Sequence, residues 1–305
     1  MCDAHHHLWD LNAVCYPWLN APLGTPRFFG NPAPIQKNYL TADLQADIGA
    51  LPVIESVHVE VGAAAGQHLA ETAWVQRQIE ASRNADRQLP AAMVAYADLE
   101  ADDLSQVLDR IQSYAGVRGI RQILGRSPGE DQQTGSHLLL DSPHWQRGLS
   151  ALATRGLSFD LQLIPAQMER AYPVFKRFEQ LQVVLCHCGS PWFLNEQYRH
   201  SQTEQMWLTG LRKLASLPNV HCKISGLSMF GQKWQPNRSA DIIYQVLDVF
   251  GVERCMLGSN FPVDKLYIDY QTLWGMYNQL IMRFSAAERR GLLGENCRRF
   301  YRLKA

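Results

Sequence analysis

The 305-residue sequence lacks an excess of charge of either sign, because 29 Lys and Arg balance 29 Asp and Glu. A balanced chain has no basic field that would attract nucleic acid or an anionic membrane surface. It also lacks an apolar run near the roughly 20 residues that cross a bilayer. We expect no signal peptide before the first motif, since its histidines begin at residue 5. We therefore expect no nucleic-acid partner and no membrane partner.

The seven cysteines lack the even number and the regular spacing of a disulfide framework. In a chain of this size, that pattern indicates reduced thiols and predicts a cytoplasmic location. Eight Trp and eleven Tyr in a near-neutral chain fit an enzyme, or a homo-oligomer, better than a solvated binding tail. The expected partner is a small-molecule substrate.

The sequence has no G-x-G-x-x-G motif after an early strand, which argues against an open doubly wound sheet. Apolar strands instead alternate with helical segments at spacings of roughly 30 to 40 residues. Eight such units predict an α/β fold, a closed (β/α)8 barrel forming a single domain over residues 1–305. Long loops are expected at about 11–40 and 125–136; the first is either a lid or pocket wall, or a packing or subunit contact.

Three consecutive histidines stand near the N-terminus, in a segment interpreted as the first strand. Side chains alternate along a strand, so His5 and His7 share one face and His6 takes the other. Two imidazoles on one face can bind a metal ion, but only if the rest of the chain supplies further ligands. An expression tag is the alternative interpretation, and the neighbouring Asp, Leu and Trp residues argue against it.

In a barrel, chemistry lies at the C-terminal ends of the strands, on side chains that face the lumen. From strand one to strand eight, the candidates are His5 and His7; His58 and Glu60; Tyr96 and Asp98; Arg118 and Gln122, or Arg121; Asp160 and Gln162; His187; Lys223 and Ser225; and Asn260. Each alone is well explained as a satisfied core residue, but together they indicate one site. The same alternation predicts that Cys186, Cys188 and Cys222 face outward, beneath the helices.

Five motifs appear in order along the chain: Asp-Ala-His-His-His-Leu-Trp-Asp, Cys-His-Cys-Gly-Ser-Pro, Lys-Ile-Ser-Gly, Leu-Gly-Ser-Asn-Phe-Pro-Val-Asp and Gly-Glu-Asn-Cys-Arg-Arg-Phe-Tyr. Together they resemble the amidohydrolase-2 branch of the amidohydrolase superfamily, the group that contains sugar-acid and dicarboxylate lactonases. The resemblance runs essentially from end to end. It implies a (β/α)8 barrel and hydrolysis of a lactone or a related carbonyl compound, the activity of a carboxylic ester hydrolase.

The resemblance also implies a set of metal ligands. In metal-using members, the strand-one His pair, a later-strand His and a strand-eight Asp surround a divalent ion, and His5, His7 and His187 match the first three. Asn260 stands where the Asp is expected, and an amide is a poor ligand that cannot take a proton from water. The resemblance therefore implies either a weakly held ion, zinc or manganese, or metal-independent chemistry.

The catalytic residues are interpreted as His187, Asn260 and Glu60. Without a metal ion, His187 or Glu60 is the expected general base; Asp160 and Asp264 are further candidates for a replacement carboxylate. The expected substrate-binding residues are Trp9, His58, Arg118, Arg121, Gln162 and Lys223. Lys223 or an arginine would stabilise an oxyanion, and Arg118, Arg121 or Arg126 would hold a substrate carboxylate unless they form surface salt bridges.

Two alternatives to lactone hydrolysis stay open. The branch resembles lactone isomerases and non-oxidative decarboxylases as well, and loss of a carboxylate base at Asn260 favours a reaction without net water uptake. A catalytically inactive barrel is the other alternative, and the Asn is its only support.

Overall fold

The structure is a computed structural model that describes residues 1–128 and 134–303. Eight parallel strands are hydrogen-bonded in sequence order. They are Cys2–His6 (β1), Glu55–Val59 (β2), Gln88–Tyr96 (β3), Val117–Arg121 (β4), Ser158–Leu161 (β5), Val183–Leu185 (β6), Val220–Ile224 (β7) and Cys255–Leu257 (β8). The chain beyond β8 returns to β1, where the amide of His7 donates to the carbonyl of Phe261 over 2.7 Å. The predicted (β/α)8 barrel is confirmed.

Helices connect the strands and surround the barrel. They are Thr41–Ile48 (α1), His68–Ser82 (α2), Leu104–Gln112 (α3), Pro143–Thr154 (α4), Pro165–Phe175 (α5), Ser201–Ala215 (α6), Leu227–Gly231 (α7), Pro236–Phe250 (α8), Tyr270–Ile281 (α9), Ala286–Arg290 (α10) and Asn296–Tyr301 (α11). A π-helical turn at Gly291–Glu295 separates α10 from α11. None of the described helices has both the length and the apolar character that crossing a bilayer requires.

The apolar interior has two parts. The larger part lies between the strands and the surrounding helices. The smaller part, here called the inner core, consists of Cys2, Ala4, Val57, Val59, Val94, Val184, Met256, Cys297, Phe300 and Tyr301. Since α11 contributes the last three, and Arg298 on α11 pairs with Glu55 at the start of β2, this helix closes the N-terminal end of the barrel.

Residues 11–40 lie beside the C-terminal ends of the strands. They contain one short 3-10 turn, Ala33–Ile35, and are otherwise irregular. The indole of Trp18 donates to the carbonyl of Val61 over 2.8 Å, and the hydroxyl of Tyr267 donates to the carbonyl of Phe29 over 2.6 Å. These bonds hold the segment against the ends of β2 and β8. In the other expected loop, residues 129–133 lie outside the described part of the chain.

Candidate active site

The structure brings His5, His7 and His187 together at one end of the barrel. The ring centres of His5 and His7 are 5.0 Å apart, and those of His5 and His187 are 4.5 Å apart. All three side chains are buried. Residues from opposite halves of the sequence therefore share one small volume.

A bulge in β1 positions His5. Between Asp3 and His6, β1 contains one residue more than the part of β2 with which it pairs. The additional residue lets Ala4 face the inner core while the ring of His5 faces Lys223. Under strict alternation, Ala4 and His5 would lie on opposite faces of the strand. The bulge therefore orients the side chain of His5 toward the site, as bulges beside active sites commonly do.

His58 on β2 is not where the sequence predicted it. Val57 and Val59 occupy the inner core, so His58 points to the other face of β2 and lies beside His6, with ring centres 5.9 Å apart. Its Nδ1 accepts the amide of Leu8 over 3.1 Å. His58 is therefore a packing residue beneath the helices and does not line the candidate site.

His187 reaches the site through a turn and not through strand alternation. It follows β6, and both His187 and Cys188 have a φ of 54°, in the left-handed region. Its Nδ1 lies 2.9 Å from the hydroxyl of Ser225, which follows β7. Burial, and next the positive charge of Arg121, lower the pKa of His187 well below its ordinary value. The imidazole is thus neutral at neutral pH and can accept a proton.

Because His187 lies on a turn, the cysteines flanking it do not share one orientation. Cys188 and Cys222 pack in the larger part of the apolar interior, between the strands and the helices, as expected. Cys186 is instead surrounded by the charges of Asp160, Lys223 and Arg121, which identifies it as an interior residue. Burial raises the pKa of its thiol to about 12, so it is an unreactive apolar group. The outward orientation predicted for Cys186 is wrong.

Arg121 is fixed by two partners. Its Nε donates to Glu60 Oε1 over 2.6 Å, and its Nη1 donates to Gln162 Oε1 over 3.0 Å. The other Glu60 oxygen accepts the amide of Gly62 over 2.7 Å. Glu60 is consequently engaged in orienting the guanidinium, and this arrangement disfavours Glu60 as a general base.

Lys223 is fully buried and pairs with Asp160, with Nζ and Oδ2 separated by 2.6 Å. Its Nζ also lies 3.5 Å from His5 Nδ1. The hydroxyl of Tyr301 donates to both oxygens of Asp160, over 2.9 and 2.8 Å. Lys223 therefore lies beneath His5 and does not reach the cavity above it.

Asn260 follows β8 and lies beside His7, and its backbone amide donates to the carbonyl of His5 over 2.7 Å. Its Nδ2 donates to Asp264 Oδ2 over 2.8 Å, and a hydrogen bond with its side chain raises the pKa of His7 against the larger lowering by burial. Asp264 also accepts the amide of Met229 and the hydroxyl of Ser228. All three carboxylates considered as replacements for the strand-eight Asp are thus held by hydrogen-bond donors.

A cavity of about 660 Å³ opens above these groups. Its lining includes His7, His187, Asn260, Gln162, Arg27, Arg121, Arg126, Trp18, Phe28 and Phe29. Among the described residues that line it, three carry a guanidinium and none carries a carboxylate. Guanidinium groups can recognise an anionic group through charge-assisted hydrogen bonds.

Two residues predicted to bind substrate lie elsewhere. Trp9 is fully buried, and its indole donates to the carbonyl of Lys37 over 2.6 Å, so it anchors the long loop. Arg118 is at the start of β4, where its Nη1 donates to the carbonyls of Ala115 and Val117 over 2.7 and 2.9 Å. It belongs to the N-terminal face of the barrel, opposite the cavity.

Arg27 lines the cavity although the sequence patterns did not predict it there. It lies in the segment Thr25–Pro26–Arg27–Phe28–Phe29, within the long loop expected at about 11–40. An arginine flanked by proline and two phenylalanines in an ordered loop is a usable signal, because aromatic walls and a guanidinium together suit an anionic ring compound.

Known proteins share this sequence and this architecture. A sequence profile described as amidohydrolase matches residues 2–303. The chain belongs to the amidohydrolase family. An uncharacterised protein of Sinorhizobium fredii, y4mH, is 35% identical over 303 residues, covering 99% of this chain and 98% of that protein. An L-fucono-1,5-lactonase of Burkholderia multivorans is 29% identical over 310 residues, covering 99% and 95%. A solved amidohydrolase of B. multivorans with bound zinc superposes with a TM-score of 0.80 at 26% identity, covering 99% of each chain.

Amidohydrolases commonly hold divalent metal ions, and such an ion requires several lone pairs or carboxylates around one point. Among the described residues, no group of three or more His, Cys, Asp or Glu side chains is arranged to hold a metal ion. His5 faces the ammonium group of Lys223, and Asn260 is neutral. A cation beside one of the three imidazoles does not fit a divalent ion at this position.

Proposed function

We propose that this amidohydrolase opens the ring of an acidic lactone, a sugar-acid or dicarboxylate lactone, by attack of water on the ring carbonyl without a metal ion. The observation that carries the proposal is the neutral imidazole of His187 beside a cavity that three arginines line and no described carboxylate does. The family assignment supports a hydrolase, and the related L-fucono-1,5-lactonase supports a lactone as substrate. A cytoplasmic location and a homo-oligomer remain predictions from composition.

In this proposal His187 is the general base. Its Nδ1 is occupied by the Ser225 hydroxyl, so Nε2 is the nitrogen that accepts the proton of the attacking water. The lowered pKa of His187 keeps that nitrogen unprotonated at neutral pH. General base catalysis by a positioned imidazole contributes typically about 10²- to 10⁴-fold to the rate.

Arg121 has the complementary role of stabilising the negative charge that develops on the carbonyl oxygen. Its bonds to Glu60 and Gln162 fix the guanidinium before substrate arrives, so little reorganisation accompanies the reaction. Arg27 and Arg126, further round the cavity, would bind the carboxylate of the substrate. The aromatic rings of Trp18 and Phe28 would pack against the apolar faces of its ring.

A lactone isomerase is the second candidate. One observation favours it: the carboxylates of Glu60, Asp160 and Asp264 are all engaged by donors, so none is poised to take a proton from water. In such a reaction His187 would move a proton within the substrate and no water would be consumed.

The experiment is a pH-indicator assay on a panel of sugar-acid and dicarboxylate lactones, followed by product analysis in ¹⁸O-labelled water. Hydrolysis predicts one labelled oxygen in the product carboxylate, whereas isomerisation predicts none. His187→Asn should lower kcat at least about 100-fold, and His200→Asn, at an exposed loop histidine, should leave it unchanged. Full activity of His187→Asn contradicts the proposed role.

A further inference from the structure

His5 and His7, two residues apart, have different partners at the same ring atom. The Nδ1 of His7 lies 2.8 Å from the carbonyl oxygen of Val59. The Nδ1 of His5 lies 3.5 Å from the Nζ of Lys223. A carbonyl oxygen only accepts hydrogen bonds, whereas an ammonium group only donates them. The two contacts therefore favour ring protons on different nitrogens in the two histidines.

The consequence for each ring follows from a neutral imidazole having one N–H and one lone pair. His7 donates from Nδ1, so its Nε2 presents a lone pair. His5 accepts at Nδ1, so its proton is on Nε2. The His5 Nε2 atom is buried and has no hydrogen-bond partner in the described part of the structure. A buried donor without an acceptor costs free energy, which an oxygen atom of a bound molecule would recover.

The cation that imposes this arrangement is itself held firmly. Lys223 and Asp160 are both fully buried and 2.6 Å apart. The hydroxyl of Tyr301 also donates to Asp160, and the Lys223 Nζ lies 5.0 Å from the centre of the Tyr301 ring. The C-terminal helix α11 thereby helps to position a group that touches the candidate active site. Removing either partner of such a buried ion pair would leave the other charge uncompensated.

We propose that Lys223, held by Asp160 and Tyr301, is a positioning residue that fixes His5 as an Nε2–H donor to an oxygen atom of the bound substrate and thereby prevents His5 from ligating a metal ion. A metal ligand must offer a lone pair, and Nε2 of this tautomer offers a hydrogen. The role toward a substrate oxygen rests on the proposed function. The tautomer and the exclusion of metal do not, so the tests below require no substrate.

The first test reads the tautomers directly, by two-bond ¹H–¹⁵N correlation spectra of the full chain labelled with ¹⁵N-histidine. His5→Gln and His7→Gln assign the two spin systems. The expected result is a proton on Nε2 of His5 and on Nδ1 of His7, the latter serving as an internal reference. A proton on Nδ1 of His5 overturns the proposal.

The second test measures the affinity for zinc alone. Lys223→Met removes the cation, and the double variant Lys223→Met/Asp160→Asn removes both buried charges in case the single variant fails to fold. Each folded variant should bind zinc at least about tenfold more tightly than the wild type. Lys213→Met, at an exposed lysine paired with Glu169, should bind zinc as the wild type does. A folded double variant with unchanged zinc affinity overturns the proposal, whatever the lactonase assay gives.

Discussion

Gly226 lies so close to His187 that a β-carbon at this glycine would come 2.6 Å from Nδ1 of the imidazole. The glycine also has a φ of 71°, in the left-handed region that favours glycine. The hydroxyl of Ser225, immediately before it, bonds the same ring nitrogen. The end of β7 therefore both positions the His187 ring and leaves the space that the ring occupies.

Gly226→Ala should lower kcat at least about tenfold, because the new methyl group displaces the proposed general base by more than a hydrogen bond tolerates. It should also reduce the free energy of unfolding by about 1–2 kcal/mol, the cost of a left-handed alanine. Gly156→Ala is the matched control, since Gly156 has a φ of 67° and open space around its α-carbon. Steady-state kinetics and urea unfolding measure both effects. Equal kcat values for the two variants would show that Gly226 does not position His187.

The sequence predicted the barrel because each strand–helix unit shows the apolar periodicity of a strand and then of a helix, and these periodicities reflect burial. It also predicted that His5, His7 and His187 lie at one mouth, since the C-terminal ends of parallel strands meet there. It could not predict that His187 arrives through two residues of positive φ. Such a turn has no strict sequence signature for histidine or cysteine. The prediction for Cys186 was wrong because it assumed that His187 faces the lumen by strand alternation.

The errors at His58 and Arg118 have different physical causes. In β2, Val57 and Val59 face the inner core, so alternation turns His58 to the other face. The alternating pattern alone does not tell which of the two faces points inward. Arg118 begins β4 and Arg121 ends it, so position along the strand, and not the side chain, decides which one reaches the cavity. The pairing of Lys223 with Asp160 and Tyr301 joins elements that only the closed barrel brings together. Local sequence carries no information about it.

Arg27 should discriminate between acidic and neutral lactones. Arg27→Gln removes one charge-assisted hydrogen bond, worth about 1.5–3 kcal/mol, so KM for a carboxylate-bearing lactone should rise roughly 10- to 100-fold. KM for a neutral sugar lactone should change little. Arg118→Gln is the control on the opposite face and should alter neither value. An equal rise in KM for acidic and neutral substrates would rule out carboxylate recognition by Arg27.

Glu71 should make stability depend on pH. Burial, and next the charge of Glu60, raise the pKa of Glu71 to about 8 from an ordinary 4.5. A carboxyl group whose pKa is raised on folding contributes its full stabilisation below the unfolded-state value and loses it as pH rises through the folded-state value. Between about pH 4.5 and 8, the wild type should therefore lose up to about 1.4 kcal/mol more per pH unit than Glu71→Gln.

Urea unfolding at pH 5 and pH 8 measures this difference. The glutamine side chain introduced by Glu71→Gln keeps an oxygen that can accept the amide of Val61, as Glu71 Oε1 does over 2.9 Å, so the substitution changes the ionisation more than the packing. Glu179→Gln, at an exposed position, should keep the wild-type pH dependence. Identical slopes for wild type and Glu71→Gln would mean that Glu71 titrates in the folded protein as it does in the unfolded chain.

Asn260→Asp should reduce the free energy of unfolding most at high pH. Burial raises the pKa of Asp264 to about 7, and the amide hydrogen bond from Asn260 opposes that rise. Replacing the donor with a second carboxyl at a separation near 2.8 Å removes the opposing effect and adds like charge, so the pair holds a proton to higher pH. Because a raised folded-state pKa loses its stabilisation as pH rises, we expect the free energy of unfolding to decrease by roughly 1–3 kcal/mol at pH 8 and by less at pH 5.

The exchange Asn260→Asp/Asp264→Asn restores one donor and one acceptor and should recover most of the loss in urea unfolding. If Asn260→Asp is as stable as the wild type at pH 8, the amide of Asn260 is not what keeps Asp264 hydrogen-bonded.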